Sequence, residues 1–313
     1  MLLKCSSLFV VLALVFPQFA WSQSGGIFEK GDRVVFLGNT LIEREQEYGG
    51  WELPLTLATA DKDLIVRNLG WSGDTVWTES RGVFDPPAAG YQRTLELVKE
   101  LKPSVIILGY GNVEAFGGPS KLPPFREQYQ KLVNDLASVG ARFVHLSPIL
   151  LEKTSLPDQS EARLAQTDRV NQSIEQYAGA IREIAGNRQE LFVDLIDWQR
   201  SRSSEEPLTQ NGIHFSADGY LASGLFLTAQ LTGKTLTQEN LASDSVENLR
   251  LAIIDKNRLF FHRWRPQNIT YLFLFRKHEQ GNNAVEVAQF DPFVDKAEES
   301  IAKKADRIAE SWK

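Results

Sequence analysis

The chain has 313 residues, 42% of them apolar and 24% charged, which excludes collagen-like, disordered and staple-dependent mini-protein classes. Thirty-four basic against forty acidic side chains leave a formal charge of -6. That balance argues against nucleic acid as a partner and against broad capture by anionic lipid.

The first twenty-two residues read separately from the rest. Lys4 precedes the unbroken apolar run Leu8 to Phe16, then Pro17 and Ala20-Trp21-Ser22, which has small residues at the positions a signal peptidase inspects. The run falls well short of the ~20 residues that span a bilayer. It therefore predicts a cleaved export signal over residues 1–22, a mature chain from Gln23, no stable membrane anchor, and a periplasmic or secreted destination. Cleavage removes the single cysteine, Cys5, and the single methionine, Met1. The mature chain then has neither disulfides nor thiolate metal sites, and its stability rests on core burial.

From Arg33 onward, short apolar runs alternate with longer amphipathic stretches. The predicted strands are Val34 to Gly38, Leu64 to Asn68, Val105 to Gly109, Phe143 to Ser147 and Leu191 to Leu195, each nearly continuous in apolar residues, as when both faces are covered. Helical stretches fall around Glu45 to Ala60, Tyr91 to Leu101, Phe125 to Val139 and Ala162 to Ile184, with another near Ala217 to Leu231. Strands alternating with helices predict βαβ units, a parallel five-stranded sheet and a three-layer α/β domain over residues 23–234. Residues 235–313 differ. A helix near Leu249 to Phe261, a strand-like Tyr271 to Phe275 and a charged helix from about Asp295 to Trp312 predict an appended C-terminal helical and strand subdomain.

Ligands of such sheets bind beyond the carboxyl ends of the strands, which directs attention to four short motifs. Strand one ends in Gly38-Asn39-Thr40, and strand two runs into Gly70-Trp71-Ser72-Gly73-Asp74-Thr75. Strand three ends in Gly109-Tyr110-Gly111-Asn112-Val113-Glu114, and Asn211-Gly212-Ile213-His214 precedes the last core helix. In this order and spacing they resemble the SGNH, or GDSL-like, hydrolase superfamily over roughly Gly31 to Leu231. The resemblance implies a flavodoxin-like sheet and an ester-hydrolysing site. That site would hold a nucleophilic hydroxyl after strand one, a glycine amide and an asparagine side chain as oxyanion donors, and an Asp-x-x-His segment supplying the base. In acyl transfer the hydroxyl loses its proton to an imidazole as it attacks, a third group holds the imidazole tautomer, and convergent N–H donors stabilise the tetrahedral oxyanion.

Carried over by position, Thr40 is the nucleophile, His214 the base and Asn211 its orienting partner, while Asn39, Gly73, Asn112 and Glu114 form the oxyanion and substrate-binding set. His214 and Gly73 match the family pattern. Three positions depart from it. A threonine replaces the serine, and its extra methyl stiffens χ1 and crowds a tight turn. Val113 stands at the oxyanion asparagine, with Asn112 one place early. Asn211 replaces the aspartate, and in serine proteases the corresponding change costs about 10⁴ in turnover. Glu43, Asp74 and Glu114 lie on the same rim as substitute acids or as ordinary loop carboxylates.

Two functions remain open on this reading. One is an exported ester hydrolase acting on a carbohydrate acetate or a small ester. The other is a catalytically impaired carbohydrate-binding protein using the same cleft, in which Trp51, Trp71 and Trp77 stack on sugar faces if they share an exposed side. His145, inside a predicted strand, reads as structural. Arg263, Arg265 and the Arg276-Lys277-His278 cluster read either as a cationic wall or as a salt-bridged seam between tail and core. No metal-ligand spacing and no phosphate-binding Gly-rich loop occurs, so no cofactor is expected.

Overall fold

The computed structural model describes residues 26–202 and 206–312, so the predicted export signal lies outside the described residues. The five apolar runs form β1 (Arg33–Gly38), β2 (Ile65–Gly70), β3 (Val105–Gly109), β4 (Arg142–Leu146) and β5 (Leu191–Val193). All pair in parallel, in the order β2-β1-β3-β4-β5.

Alternate residues of these strands feed two cores. Val35, Leu37, Ile106 and Leu108 face α3 (Pro87–Leu101), a short α4 (Asn112–Ala115), α5 (Leu122–Leu136) and α6 (Glu161–Arg188). Val34, Phe36, Val105 and Ile107 face α1 (Thr40–Tyr48), α2 (Glu52–Ala58) and α8 (Ala217–Thr232), with the short α7 (Leu195–Ser201) following β5. This is the expected three-layer α/β domain. The stretch predicted as one helix over Glu45 to Ala60 is two, because Gly49 adopts a left-handed conformation (φ 63°) that terminates α1.

Three glycines fix where α1 begins. Gly38, Gly70 and Gly109 end three adjacent strands in register. A Cβ on Gly70 would lie 2.1 Å from the Glu43 amide nitrogen, and one on Gly38 would lie 2.6 Å from Ile42 Cγ1. Side chains at these positions would hold the helix off the sheet, and their absence lets the first turn of α1 sit directly on the strand ends.

The C-terminal segment is helical. It comprises α9 (Asp244–Trp264), three single turns α10 (Ile269–Leu272), α11 (Lys277–Gln280) and α12 (Ala284–Val287), and α13 (Asp291–Ser311). The predicted strand at Tyr271 to Phe275 is therefore corrected. Leu272 and Leu274 are buried while Phe273 and Phe275 are exposed, which gives strand-like alternation, but α10 ends at Leu272 and residues 273–275 are turn and bend rather than strand.

α9 and α13 instead cover the free edge of β2. Leu53 and Leu57 of α2 share a buried cluster with Val246, Leu249 and Ile253 of α9 and with Ile301, Ala305 and Ile308 of α13. Beneath that cluster the fully buried Lys256 ammonium donates to Glu52 Oε1 at 2.6 Å and to the Val66 carbonyl of the edge strand at 3.0 Å, with Glu298 at 3.6 Å. Arg67 of β2 pairs with the same Glu298, and Asn257 donates to Glu52 Oε2 at 2.9 Å. Burial pushes the Glu52 carboxyl up to about 7, against the pull of Lys256. Lys256→Ala, which leaves buried carboxylates without their cation, is expected to lower stability by about 3–5 kcal/mol. The readout is an earlier urea midpoint at unchanged slope.

Candidate active site

Asn39 caps α1, its Oδ1 accepting the Leu41 amide at 3.0 Å, while its buried Nδ2 has no hydrogen-bond partner. Capping places Thr40 at the first helical position, at the carboxyl edge of the sheet. The Thr40 hydroxyl accepts a hydrogen bond from the Gly73 amide at 2.9 Å. Gly73 can present that amide because residues 71–74 form a tight turn closed by the Asp74 amide on the Trp71 carbonyl at 3.0 Å. Gly73 takes φ 72° in the turn, a region that disfavours any residue with a Cβ.

The base segment docks onto the same helix face. Arg44, one turn after Thr40, donates to Gln210 Oε1 at 3.2 Å, and the Gln210 amide donates to the His214 carbonyl at 2.8 Å. Glu152 anchors the loop from below, accepting the Leu208 and Thr209 amides and the Thr209 hydroxyl at 2.6 to 2.9 Å.

Within this loop Asn211 decides the state of the imidazole. Its Oδ1 accepts the amides of Ile213 at 3.1 Å and His214 at 3.0 Å, which leaves Nδ2 facing His214 Nδ1 at 3.2 Å. A carboxamide nitrogen only donates, so Nδ1 must accept and the ring proton resides on Nε2. A base needs the opposite tautomer, with Nε2 free. Burial, and then the nearby Arg44 cation, hold His214 below the usual histidine range and keep the ring neutral.

The other predicted rim residues are committed elsewhere. Asn112, expected as an oxyanion donor, clamps the Ile149 backbone instead. Its Nδ2 donates to the Ile149 carbonyl at 2.7 Å and its Oδ1 accepts the Ile149 amide at 3.1 Å. Glu114 is buried and accepts the Gly111 and Val76 amides, each at 2.9 Å, so it ties two rim loops together; burial raises its carboxyl to about 7. Asp74, the second of the proposed substitute acids, is fully buried. It accepts from Arg81 at 2.6 Å and from the Tyr110 hydroxyl at 3.3 Å. Arg81 in turn donates to the Gly38 and Leu69 carbonyls at 3.3 and 2.8 Å, stitching the ends of β1 and β2.

Sequence reading missed a contact from the tail. Arg265, just past α9, donates to Glu43 Oε2 at 2.9 Å and lies over the Trp71 ring at 3.6 Å. Arg263 pairs with Glu100 and Asp291, and Arg276 closes locally on Glu279. Arg263 and Arg265 thus form a salt-bridged seam. The motif Arg263-Trp264-Arg265 carried the only sequence signal, and its partners in the core, Glu100 and Glu43, lie 163 and 222 positions upstream.

The three tryptophans do not share an exposed face. Trp51 is buried with its Nε1 on the Ser223 hydroxyl at 2.7 Å, Trp71 is covered by Arg265, and Trp77 packs against the core. His145 is buried between the Tyr129 hydroxyl at 2.8 Å and Glu190 at 2.7 Å, a structural setting. Among the described residues no group of side chains could hold a metal ion, and no helix is long and apolar enough to cross a membrane.

A five-stranded parallel sheet flanked by helices on both faces is the architecture of the SGNH-type hydrolases. Residues 36–222 match the model of the GDSL-like Lipase/Acylhydrolase family, and the chain belongs to that family. No curated protein matches the sequence.

Solved structures with a similar fold include Axe2, an acetylxylan esterase from Geobacillus stearothermophilus. It is 15% identical, with a TM-score of 0.49 over 65% of this chain and 95% of that one. The lipase/acylhydrolase from Enterococcus faecalis is 18% identical, with a TM-score of 0.47 over 66% and 99%. The gut microbial diltiazem-metabolizing enzyme BT4096 is 19% identical, with a TM-score of 0.47. The match covers 66% of this chain and only 48% of that one, so the chain spans about half the length of that enzyme.

Nitrogen-15 NMR of the imidazole reads the tautomer directly. The expected spectrum shows His214 protonated at Nε2, titrating below the usual value of about 6.5. In Asn211→Asp the proton moves to Nδ1 and the titration moves upward, because a carboxylate stabilises imidazolium.

Proposed function

We propose that the protein is an exported, slow acyl-ester hydrolase in which Thr40 attacks and His214 is the base. The carrying observation is the Gly73 amide donating to the Thr40 hydroxyl at 2.9 Å. It pairs the nucleophile of the resembling family with its oxyanion donor at the N-terminus of α1. Family membership supports acyl-ester hydrolysis, and the Lys4 to Ser22 pattern supports export. A purely glycan-binding role lacks its stacking platform, since Trp51 is buried and Trp71 is capped.

Thr40 Oγ1 adds to the ester carbonyl carbon while its proton passes to His214 Nε2, and the Gly73 amide holds the oxyanion. Collapse expels the alcohol, which takes the proton from the imidazolium. Water activated by the same nitrogen then cleaves the acyl-threonine and releases the acid. Proton transfer requires the ring to carry its other proton on Nδ1, which forfeits the bond from Asn211. That rearrangement, the stiff Thr40 side chain and Val113 at the second donor position each lower the rate.

Hydrolysis of an aryl acetate tests the reading. Thr40→Ala and His214→Ala are expected to fall to the buffer rate, while Asn211→Asp raises kcat by about 10²-fold or more. Because the neutral imidazole is the active form and its pKa is depressed, activity should still be present below the ordinary histidine value of about 6.5 and be lost only at lower pH, as the ring protonates. Wild type, Thr40→Ala and Asn211→Asp all matching buffer would overturn the reading.

A further inference from the structure

We propose that Arg265 is a positioning residue for the oxyanion amide, which makes the C-terminal helical segment part of the active site although it lies outside the family match at residues 36–222. The inference rests on the reading of Gly73 as oxyanion donor.

The turn that presents Gly73 is exposed at Ser72 and Gly73, and glycine at φ 72° imposes little stiffness of its own. Its orientation depends on outside ties. The Ser72 amide donates to Glu43 Oε2, and the same oxygen receives Arg265 Nη1 at 2.9 Å. The Arg265 guanidinium carbon then lies over the Trp71 ring at 3.6 Å, while the Trp264 ring meets Trp71 edge-on at 5.8 Å and Arg81 approaches it at 5.7 Å. One arginine therefore grips both the Trp71 ring, two residues before Gly73, and the carboxylate that holds the Ser72 amide.

The clamp acts in two ways. Geometrically, oxyanion stabilisation depends on a donor already aimed at the developing charge, and a loose amide gives up that advantage. Electrostatically, the cation neutralises Glu43, whose carboxylate otherwise stands one peptide from an oxygen that becomes negative. The side chains of Arg265 and Glu43 are 24% and 18% exposed, so solvent screens the pair less than a surface ion pair. Arginine suits both tasks because its planar head stacks and donates at once.

Arg263 supplies the control. It belongs to the same seam but pairs with Glu100 and Asp291, away from the turn.

Hydrogen exchange of the full chain, read at the Ser72 and Gly73 amides, tests the clamp without reference to catalysis. Arg265→Ala is expected to accelerate exchange there by about tenfold or more, Arg265→Lys to restore it in part, and Arg263→Ala to leave it at the wild-type rate. In aryl acetate hydrolysis, Arg265→Ala lowers kcat by about 10- to 100-fold, less than the loss of a whole donor. KM and the acid limb of the pH profile stay near wild type. Unchanged exchange in Arg265→Ala, equal acceleration in Arg263→Ala, or an unchanged kcat in a hydrolysing enzyme would overturn the proposal. If no variant hydrolyses ester, the Thr40 mechanism fails and the exchange result alone decides whether the clamp exists.

Discussion

Close approach of α1 to the sheet is the constraint on which the rest of the molecule depends. Gly38, Gly70 and Gly109 remove three side chains from the strand ends at one level, and the helix descends until the Glu43 backbone fills the space a Cβ on Gly70 would take. Everything at the site is indexed to that contact. Thr40 sits at the first helical position, Glu43 at the next rung and Arg44 behind it, where it meets the loop that carries His214. Loosening the floor would shift Thr40, Glu43 and the loop that carries His214 together. Close-packed interiors allow little independent movement of such groups.

The candidate site combines a well-tied frame with the departures from the family pattern read in the sequence. The frame comprises the Asn39 cap, the turn around Gly73 and the Glu152-anchored loop, each tied by backbone or side-chain hydrogen bonds, while the buried Asn39 Nδ2 and Asp74 Oδ1 have no partner. On the proposed reading, a methyl, an isopropyl group and a carboxamide stand where the family pattern has a proton, a carboxamide and a carboxylate. Of these, Asn211 matters most, because its oxygen is held by two backbone amides. It cannot turn to accept from the imidazole without losing both. Burying Asp74, Arg81 and Tyr110 beneath the rim then serves rigidity, since their groups face one another and the strand-end carbonyls.

The fold was legible because its signals are local. Near-continuous apolar runs and glycine at strand ends mark the sheet, and amphipathic stretches mark its helices. Where alternation misled, at Tyr271 to Phe275, the period of two came from a turn with leucines inward and phenylalanines outward, and no sequence rule reports whether a sheet edge is free. At the candidate site the motifs marked which strand ends to inspect, and the partners of their side chains were not legible. Asn112 reads as a donor until Ile149 is seen beside it. Arg265 reads as one of several tail cations until Trp71 and Glu43, far upstream, come into contact with it.

The ion cluster around Lys256 bears on where this polypeptide can be cut. The stretch shared with the family stops before α9, yet Lys256 satisfies the Val66 carbonyl of β2 and, with Glu298, matches the charges of Glu52 and Arg67. A fragment trimmed to the shared stretch would expose an apolar face and the unpaired edge of β2, open to pairing with a neighbouring molecule. The smallest autonomous piece of this protein is therefore longer than its ancestry suggests, and an expression boundary drawn by kinship alone would select for insoluble material.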